Sequence, residues 1–211
     1  NPPACVEFGF SSTDQTSISN TANLVLNKGW RALLLDGDFE NKEINLHKEF
    51  ITSENICDLF RKYNIPEKPD YVSIDIDSAD LWVLESILGS YKPSVLTIEY
   101  NSQFPIDACI TFPNNPDEFW EYDTVYGCSI GCINLVAQEH GYQIVYVGAT
   151  DVYLVANKLI KGLKPLPLTY FSKIAKRAPF RVHKPCSTGR EKIMLDYSVW
   201  LKTNSVEEAR K

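Results

Sequence analysis

Apolar residues in this chain gather in short runs that alternate with stretches of helical periodicity. Residues 4–9 (ACVEFG) form an apolar run of strand length, and in 17–28 Ile18, Ala22, Val25 and Leu26 recur at helical spacing until Gly29 stops the pattern. Residues 31–36 (RALLLD) predict a second strand. Segment 38–48 carries a weaker helical pattern; 53–63 carries a better one, with Ser53 placed to cap a helix bearing Ile56, Leu59 and Phe60. Residues 71–75 (YVSID) and 94–100 (SVLTIEY) predict third and fourth strands, with a helix over 79–88 between them that ends at Gly89. Such alternation implies parallel strands joined by crossover helices.

The rhythm breaks over 101–124, a stretch rich in Pro, Asn, Asp and aromatics. A loop of that length inside a compact domain usually carries function or covers a site. Residues 126–140 then predict a helix stopped by Gly141, and 143–147 and 152–156 predict two strands close enough to form an antiparallel hairpin. Beyond Lys158 the pattern fades, with Pro165 and Pro167 ahead of a short helical stretch over 168–177 and an irregular end. The expected architecture is a doubly wound α/β sheet, mostly parallel, that finishes in an antiparallel hairpin. Residues 1–157 make the α/β unit, and 158–211 an extension packed on it.

With 211 residues the chain can bury one sizeable core. Its formal net charge is −6 and Lys and Arg are scattered, apart from modest runs at 158–164 and 173–181, so nucleic acid is not expected as a main partner. No apolar run approaches the roughly 20 residues needed to cross a bilayer, so no membrane span is expected. The six cysteines, Cys5, Cys57, Cys109, Cys128, Cys132 and Cys186, show no paired CxxC and read mostly as buried thiols. The composition sets no oligomeric state.

Ligands of an open α/β sheet settle outside the carboxyl ends of its strands, where the strand order reverses. Here the first strand ends in Glu7-Phe8-Gly9, where Gly9 lets backbone approach a ligand, although any turn after a buried strand also favours glycine. The second ends in Asp36-Gly37-Asp38; a carboxylate there can accept both hydroxyls of a ribose, or it can serve an ordinary solvated turn. The third delivers Asp75, Asp77 and Asp80 to the same edge and to the start of the next helix, where the dipole favours negative charge; the simpler alternative is a helix cap by Asp77 or Ser78. The fourth ends in Glu99-Tyr100-Asn101. Core packing alone does not require every one of these strands to end in an acid or amide. If the third and fourth strands pair, Asp75, Asp77, Asp80 and Glu99 line one cleft under the 101–124 loop, whose Phe119 and Trp120 can stack on a sugar or a planar ring. His47, His140 and His183 read as surface residues, and Trp30, Trp82 and Trp200 as core or interface.

The ordered set VEFGFSS, GWRALLLDGD, FITSENICDLF, DYVSIDIDSADLWVLESI, YKPSVLTIEYN and YGCSIGCINLVAQEHGYQIVYVGATDVYLV covers most of 5–157 and resembles the FkbM-type methyltransferase family. The resemblance implies the Rossmann-like class I methyltransferase fold and S-adenosylmethionine as cofactor. It would put Glu7 and Gly9 at the cofactor loop, Asp36 at the ribose and Asp75 beside the methyl-transfer site. Asp77 and Asp80 would flank the acceptor pocket and supply a base, with Glu99, Asn101 and Trp120 on the acceptor. The implied activity is O-methylation of a hydroxyl on a small molecule or glycan. Relatives usually carry an Asp-Gly pair where Ser12 and Thr13 stand and a glycine where Ser78 stands, and they fit a helix and a strand between positions 38 and 52. These departures motivate a second reading, a methyltransferase-fold binding module without catalysis. A third is a metal-dependent glycosyltransferase using Asp36-Gly37-Asp38 or Asp75-Ile76-Asp77 as an Asp-x-Asp motif.

Overall fold

A computed structural model describes residues 2–14, 19–175 and 185–210. Strand β1 (Ala4–Phe8) is buried throughout, as its unbroken apolar run requires of a central strand. Helix α1 (Ala22–Lys28) follows, closed by Gly29 in the left-handed conformation; the expected start of this helix falls partly outside the described residues. Strand β2 (Arg31–Asp36) forms as expected.

The segment after β2 departs from expectation. The helix predicted over 38–48 is absent; a single 3-10 turn (Lys42–Ile44), capped by the Asn41 side chain, leads into a three-residue strand β3 (Leu46–Lys48). The edge strand thus exists despite the short spacing. Asn45 in the left-handed region reverses the chain directly, and Leu46 is drawn into a small cluster with Phe10 and Leu34.

Helix α2 (Ile56–Lys62) starts later than Ser53, whose hydroxyl donates to Asn114 Oδ1 at 2.8 Å instead of capping. Strand β4 (Tyr71–Ile74), helix α3 (Asp80–Ser90) and strand β5 (Val95–Glu99) follow, with α3 running through Gly89 to end before Tyr91. The long loop contains a two-residue strand β6 (Ile110–Thr111), and helix α4 (Ile130–Glu139) is capped by Ser129, whose hydroxyl accepts from Cys132 N. Strands β7 (Tyr142–Val147) and β8 (Asp151–Ala156) form the hairpin.

The main sheet has the order β3-β2-β1-β4-β5-β8-β7, with β8 antiparallel to both β5 and β7 and all other pairs parallel. This is the doubly wound α/β sheet with a terminal hairpin expected of the Rossmann-like class I methyltransferase fold. Its core lies between the sheet and α2, α3 and α4, where Phe8, Phe60, Ile74, Leu84 and Ile133 are fully or almost fully buried.

The extension is more ordered than its sequence pattern suggests. Helix α5 (Leu168–Ala175) packs on β7, while the remainder of the helix expected to reach 177, and His183, lie outside the described residues. In place of the irregular end, strand β9 (Leu195–Asp196) pairs antiparallel with β6, and helices α6 (Tyr197–Thr203) and α7 (Val206–Ala209) follow. Tyr197 is fully buried and stacks on Trp200, and both meet Trp82 edge-on. Two-residue β6 has no apolar periodicity to read; it exists because β9 comes to pair with it. Among the described residues every cysteine is a free thiol, with Cys5, Cys128 and Cys132 buried, and no helix is long and apolar enough to cross a membrane.

The turn leaving β1 is the tightest point of the fold. Gly9 has φ +64°, and a Cβ there would lie 1.7 Å from the Asp75 carbonyl oxygen. Gly9→Ala therefore meets both a left-handed backbone and a backbone clash, and should lose about 3 kcal/mol or more of stability. Urea denaturation checks this; a variant within about 1 kcal/mol of the parent, the ordinary range for a tolerated change, would remove the constraint.

Candidate functional site

The carboxyl ends of β1, β2 and β4 open into a cleft of about 510 Å³, within the usual size of a small-molecule site. Gly9, Asp36, Phe39, Phe50 and Asp77 line it, and the part of the long loop at 114–122 roofs it with Phe119, Trp120 and Tyr122. The position is the one sheet topology dictates, since the chain leaves β1 toward β2 on one side and reaches β4 on the other.

Glu7 lies on β1 but turns to the start of α1. Its carboxylate accepts from Ser19 Oγ, Asn20 N, Thr21 N and Thr21 Oγ1 at 2.5–3.1 Å, so its lone pairs are taken and its role is to shape the loop. Gly9 lines the cleft, and the close approach of the Asp75 carbonyl by itself requires glycine there.

Asp36 ends β2 at the cleft floor, where Oδ1 accepts from Asp38 N at 2.7 Å and Phe39 N at 3.1 Å and Oδ2 accepts from Ser11 N at 2.8 Å. A carboxylate offers about four lone-pair sites, so one remains. The expectation that it accepts both ribose hydroxyls is corrected to at most one.

Past β4, the segment 75–80 folds around Asp80. Its carboxylate accepts from Ile76 N at 2.8 Å and Ser78 N at 3.0 Å, and the residue is 0% exposed. The loop is thus tied by the third acid, reaching back from the first turn of α3, and not capped by Asp77 or Ser78. Burial, with the Asp77 charge adding to it, pushes the Asp80 carboxyl up to about 7, against the pull of the Ile76 N–H. Sealed from the cleft, Asp80 cannot take a proton from an acceptor. Asp77 does line the cleft, held at φ +60°, a conformation that Asp tolerates better than most residues.

One carboxylate oxygen each of Asp75, Asp77 and Glu99 lies within 4.8 Å of the others, as the pairing of β4 with β5 implies. The expectation that these acids and Asp80 all line the cleft is corrected: Asp77 alone of the four does, and Asp75 and Glu99 lie behind it. Glu99 bears the cost. Its Oε2 is buried with no hydrogen-bond partner, and burial, then the charges of Asp75, Asp80, Asp77 and Asp151, push its carboxyl up to about 10. Glu99 therefore keeps its proton at neutral pH.

Asn101 is 1% exposed and fully used: Nδ2 donates to the Thr124 and Tyr126 carbonyls at 3.1 Å, and Oδ1 accepts from Gln103 N at 3.0 Å. Its expected contact with an acceptor is corrected to fastening the two ends of the roof. Trp120 faces the cleft as expected, its Nε1 donating to the Asp123 carbonyl at 2.8 Å and its ring against Tyr122 and Tyr126.

The residues that sequence reasoning missed are Phe39, Phe50 and Tyr122. Phe50 and Phe119 meet edge-on across the mouth at 6.0 Å between centroids while remaining 56% and 55% exposed. Phe39 and Phe50 flank the 3-10 turn and β3, where a misplaced helix hid them; an aromatic pair flanking a strand end was the available signal.

Because Glu99 and Asp80 bind protons more tightly folded than unfolded, stability should fall as pH rises from about 4.5 to 10 for Glu99 and from about 4 to 7 for Asp80. Glu99→Gln removes the first window and lets an amide donate toward Asp75 and Asp77. It should flatten the loss between pH 7 and 10 and add about 1–3 kcal/mol at pH 8. Denaturation curves across that range decide; a variant that loses stability with pH as steeply as the parent would show that Glu99 is not the buried proton holder.

No protein-family model matches the chain. No protein of curated function matches it. Among solved structures, M. capricolum TrmK in complex with its natural cofactor product S-adenosyl-homocysteine is similar at 18% sequence identity over 74% of this chain, with a TM-score of 0.36. The chain spans 61% of the length of that protein.

Proposed function

We propose that the cleft holds S-adenosylmethionine and that the protein methylates a hydroxyl of a small molecule or glycan. The observation that carries this reading is the cleft itself: an aromatic-walled space at the carboxyl ends of β1, β2 and β4 with Asp36 on its floor and Asp77 at its inner end.

The residues present fit the cofactor. Phe39, Phe50 and Ile51 offer a planar base an apolar wall. Asp36 keeps one acceptor site for a ribose hydroxyl. The acids of the inner end suit a group bearing a sulfonium and an ammonium. Bound S-adenosylmethionine supplies an electrophilic methyl group. Asp77, the acid that lines the cleft, would take the proton of the acceptor hydroxyl, while Glu99 holds its own proton and lowers the charge of the trio. Most of the rate would come from holding the acceptor oxygen in line against the aromatic wall. Residues 1–157 would hold the cofactor, and 158–211 would serve the same cleft.

A second reading is supported by the same trio, since three acids this close suit a divalent cation, which would displace the Glu99 proton, and hence a sugar-nucleotide diphosphate. Calorimetry separates the readings. S-adenosylhomocysteine should bind saturably at one site without metal, and Asp36→Ala should weaken it by about 1–2 kcal/mol, the worth of one charged hydrogen bond. That variant also frees three backbone N–H groups, so its folding is to be checked by circular dichroism. Binding of sugar nucleotide only with manganese would favour the transferase. Binding of neither would leave a fold without the enzyme's ligand.

A further inference from the structure

We propose that Arg190, in the C-terminal extension, is the positioning residue that sets the aromatic wall of the cleft; the effect on ligand rests on the cofactor reading above, and the effect on the wall does not. The loop that carries Phe119, Trp120 and Tyr122 has no helix or strand of its own between Thr111 and Ile130, so its backbone groups need partners from elsewhere. Arg190 supplies them. Its Nη1 donates to Asp123 Oδ1 and to the Val125 carbonyl, each at 3.4 Å, Nε pairs with Glu121 Oε1 at 3.2 Å, and Nη2 donates to the Phe119 carbonyl. Each of these partners lies within 119–125, on the residues that alternate with or flank the cleft-lining rings.

The pairing of Arg190 with Asp123 is buried and braced, while Glu121 lies at the surface. The Arg190 side chain is 9% exposed and that of Asp123 2%. Asp123 Oδ1 also accepts from Val125 N at 2.9 Å, and its carbonyl accepts from the Trp120 indole, so the guanidinium and the ring share one anchor. Arg190 N donates to the Ser187 carbonyl at 3.0 Å, and the chain then runs into β9, which pairs with β6 of the same loop. The rigid fork of a guanidinium matches two carboxylates and two carbonyls at once; an ammonium has fewer donors and no fixed plane. Losing the fork would leave Asp123 buried without its cation, and the loop would shift to solvate it.

Arg190→Met and Arg190→Lys in the full chain test this, each also on a Trp120→Ala or Trp120→Phe background. Two readouts are needed: calorimetric affinity for S-adenosylhomocysteine, and acrylamide quenching of Trp120, obtained by subtracting the Trp120→Phe signal. Arg190→Met should raise the quenching of Trp120 about twofold and weaken S-adenosylhomocysteine about tenfold, with Arg190→Lys between it and the parent. In the Trp120→Ala background, Arg190→Met should weaken binding by no more than about twofold further, because its effect passes through the wall. Native quenching in a folded Arg190→Met variant would overturn the proposal, as would a full tenfold loss persisting without Trp120, which marks a merely structural role. If the parent chain binds no S-adenosylhomocysteine, the cofactor reading fails while the quenching measurement still decides whether Arg190 sets the wall.

Discussion

Much of this structure depends on one close approach between two backbones. The chain leaving β1 passes over the end of β4 at a distance that leaves no room for a Cβ on Gly9, whose carbon would sit 1.7 Å from the Asp75 carbonyl. That contact fixes where the segment 75–80 begins, and so where the acids after β4 point. Asp80 completes the arrangement from inside, donating nothing and accepting two loop N–H groups with a fully buried carboxylate. Asp77 is left at a left-handed φ facing the cleft, and Asp75 turns toward Glu99.

Electrostatics follows from that geometry. Four acids, Asp75, Asp77, Asp80 and Glu99, meet at the ends of two neighbouring strands where water is scarce, and repulsion at low dielectric cannot be sustained with all of them ionised. The strain falls on Glu99: Asp80 is more deeply buried but accepts two backbone N–H groups, whereas Glu99 has a buried oxygen with no donor, so it is the acid that favours holding a proton. The result is an inner end that is acidic without carrying four full charges. Such a cluster is unfavourable for folding, and acids whose folded pKa lies above the unfolded one make the protein more stable in mild acid than in mild base.

The cleft has two walls of different origin. The floor is made by the sheet, whose hydrogen-bonded register leaves little freedom. The roof is irregular chain and borrows its order from elsewhere: Asn101 ties its ends, Trp82 donates to the Phe112 carbonyl, β9 pairs with β6, and Arg190 gathers 119–125. The extension, expected only to pack on the α/β unit, thus helps to order the chain that roofs the cleft.

What the sequence by itself determined is what local periodicity and strand-end chemistry encode. Strands β1, β2, β4 and β5, the hairpin β7 and β8 and helices α3 and α4 follow from apolar spacing, because each buries a face that only one period can bury. The meeting of Asp75, Asp77 and Glu99 followed from the pairing of their strands. The tertiary structure alone decided the rest. A three-residue β3 and a two-residue β6 hold too few residues to show a period; they form because β2 and β9 offer edges to pair with. Glu7, Asp80 and Asn101 read as site residues by position, yet each turns away to satisfy backbone and hydroxyl groups of its own loops, since buried donors must find acceptors before any ligand does. Arg190, some seventy residues from the carbonyl it holds, left no trace in any local pattern.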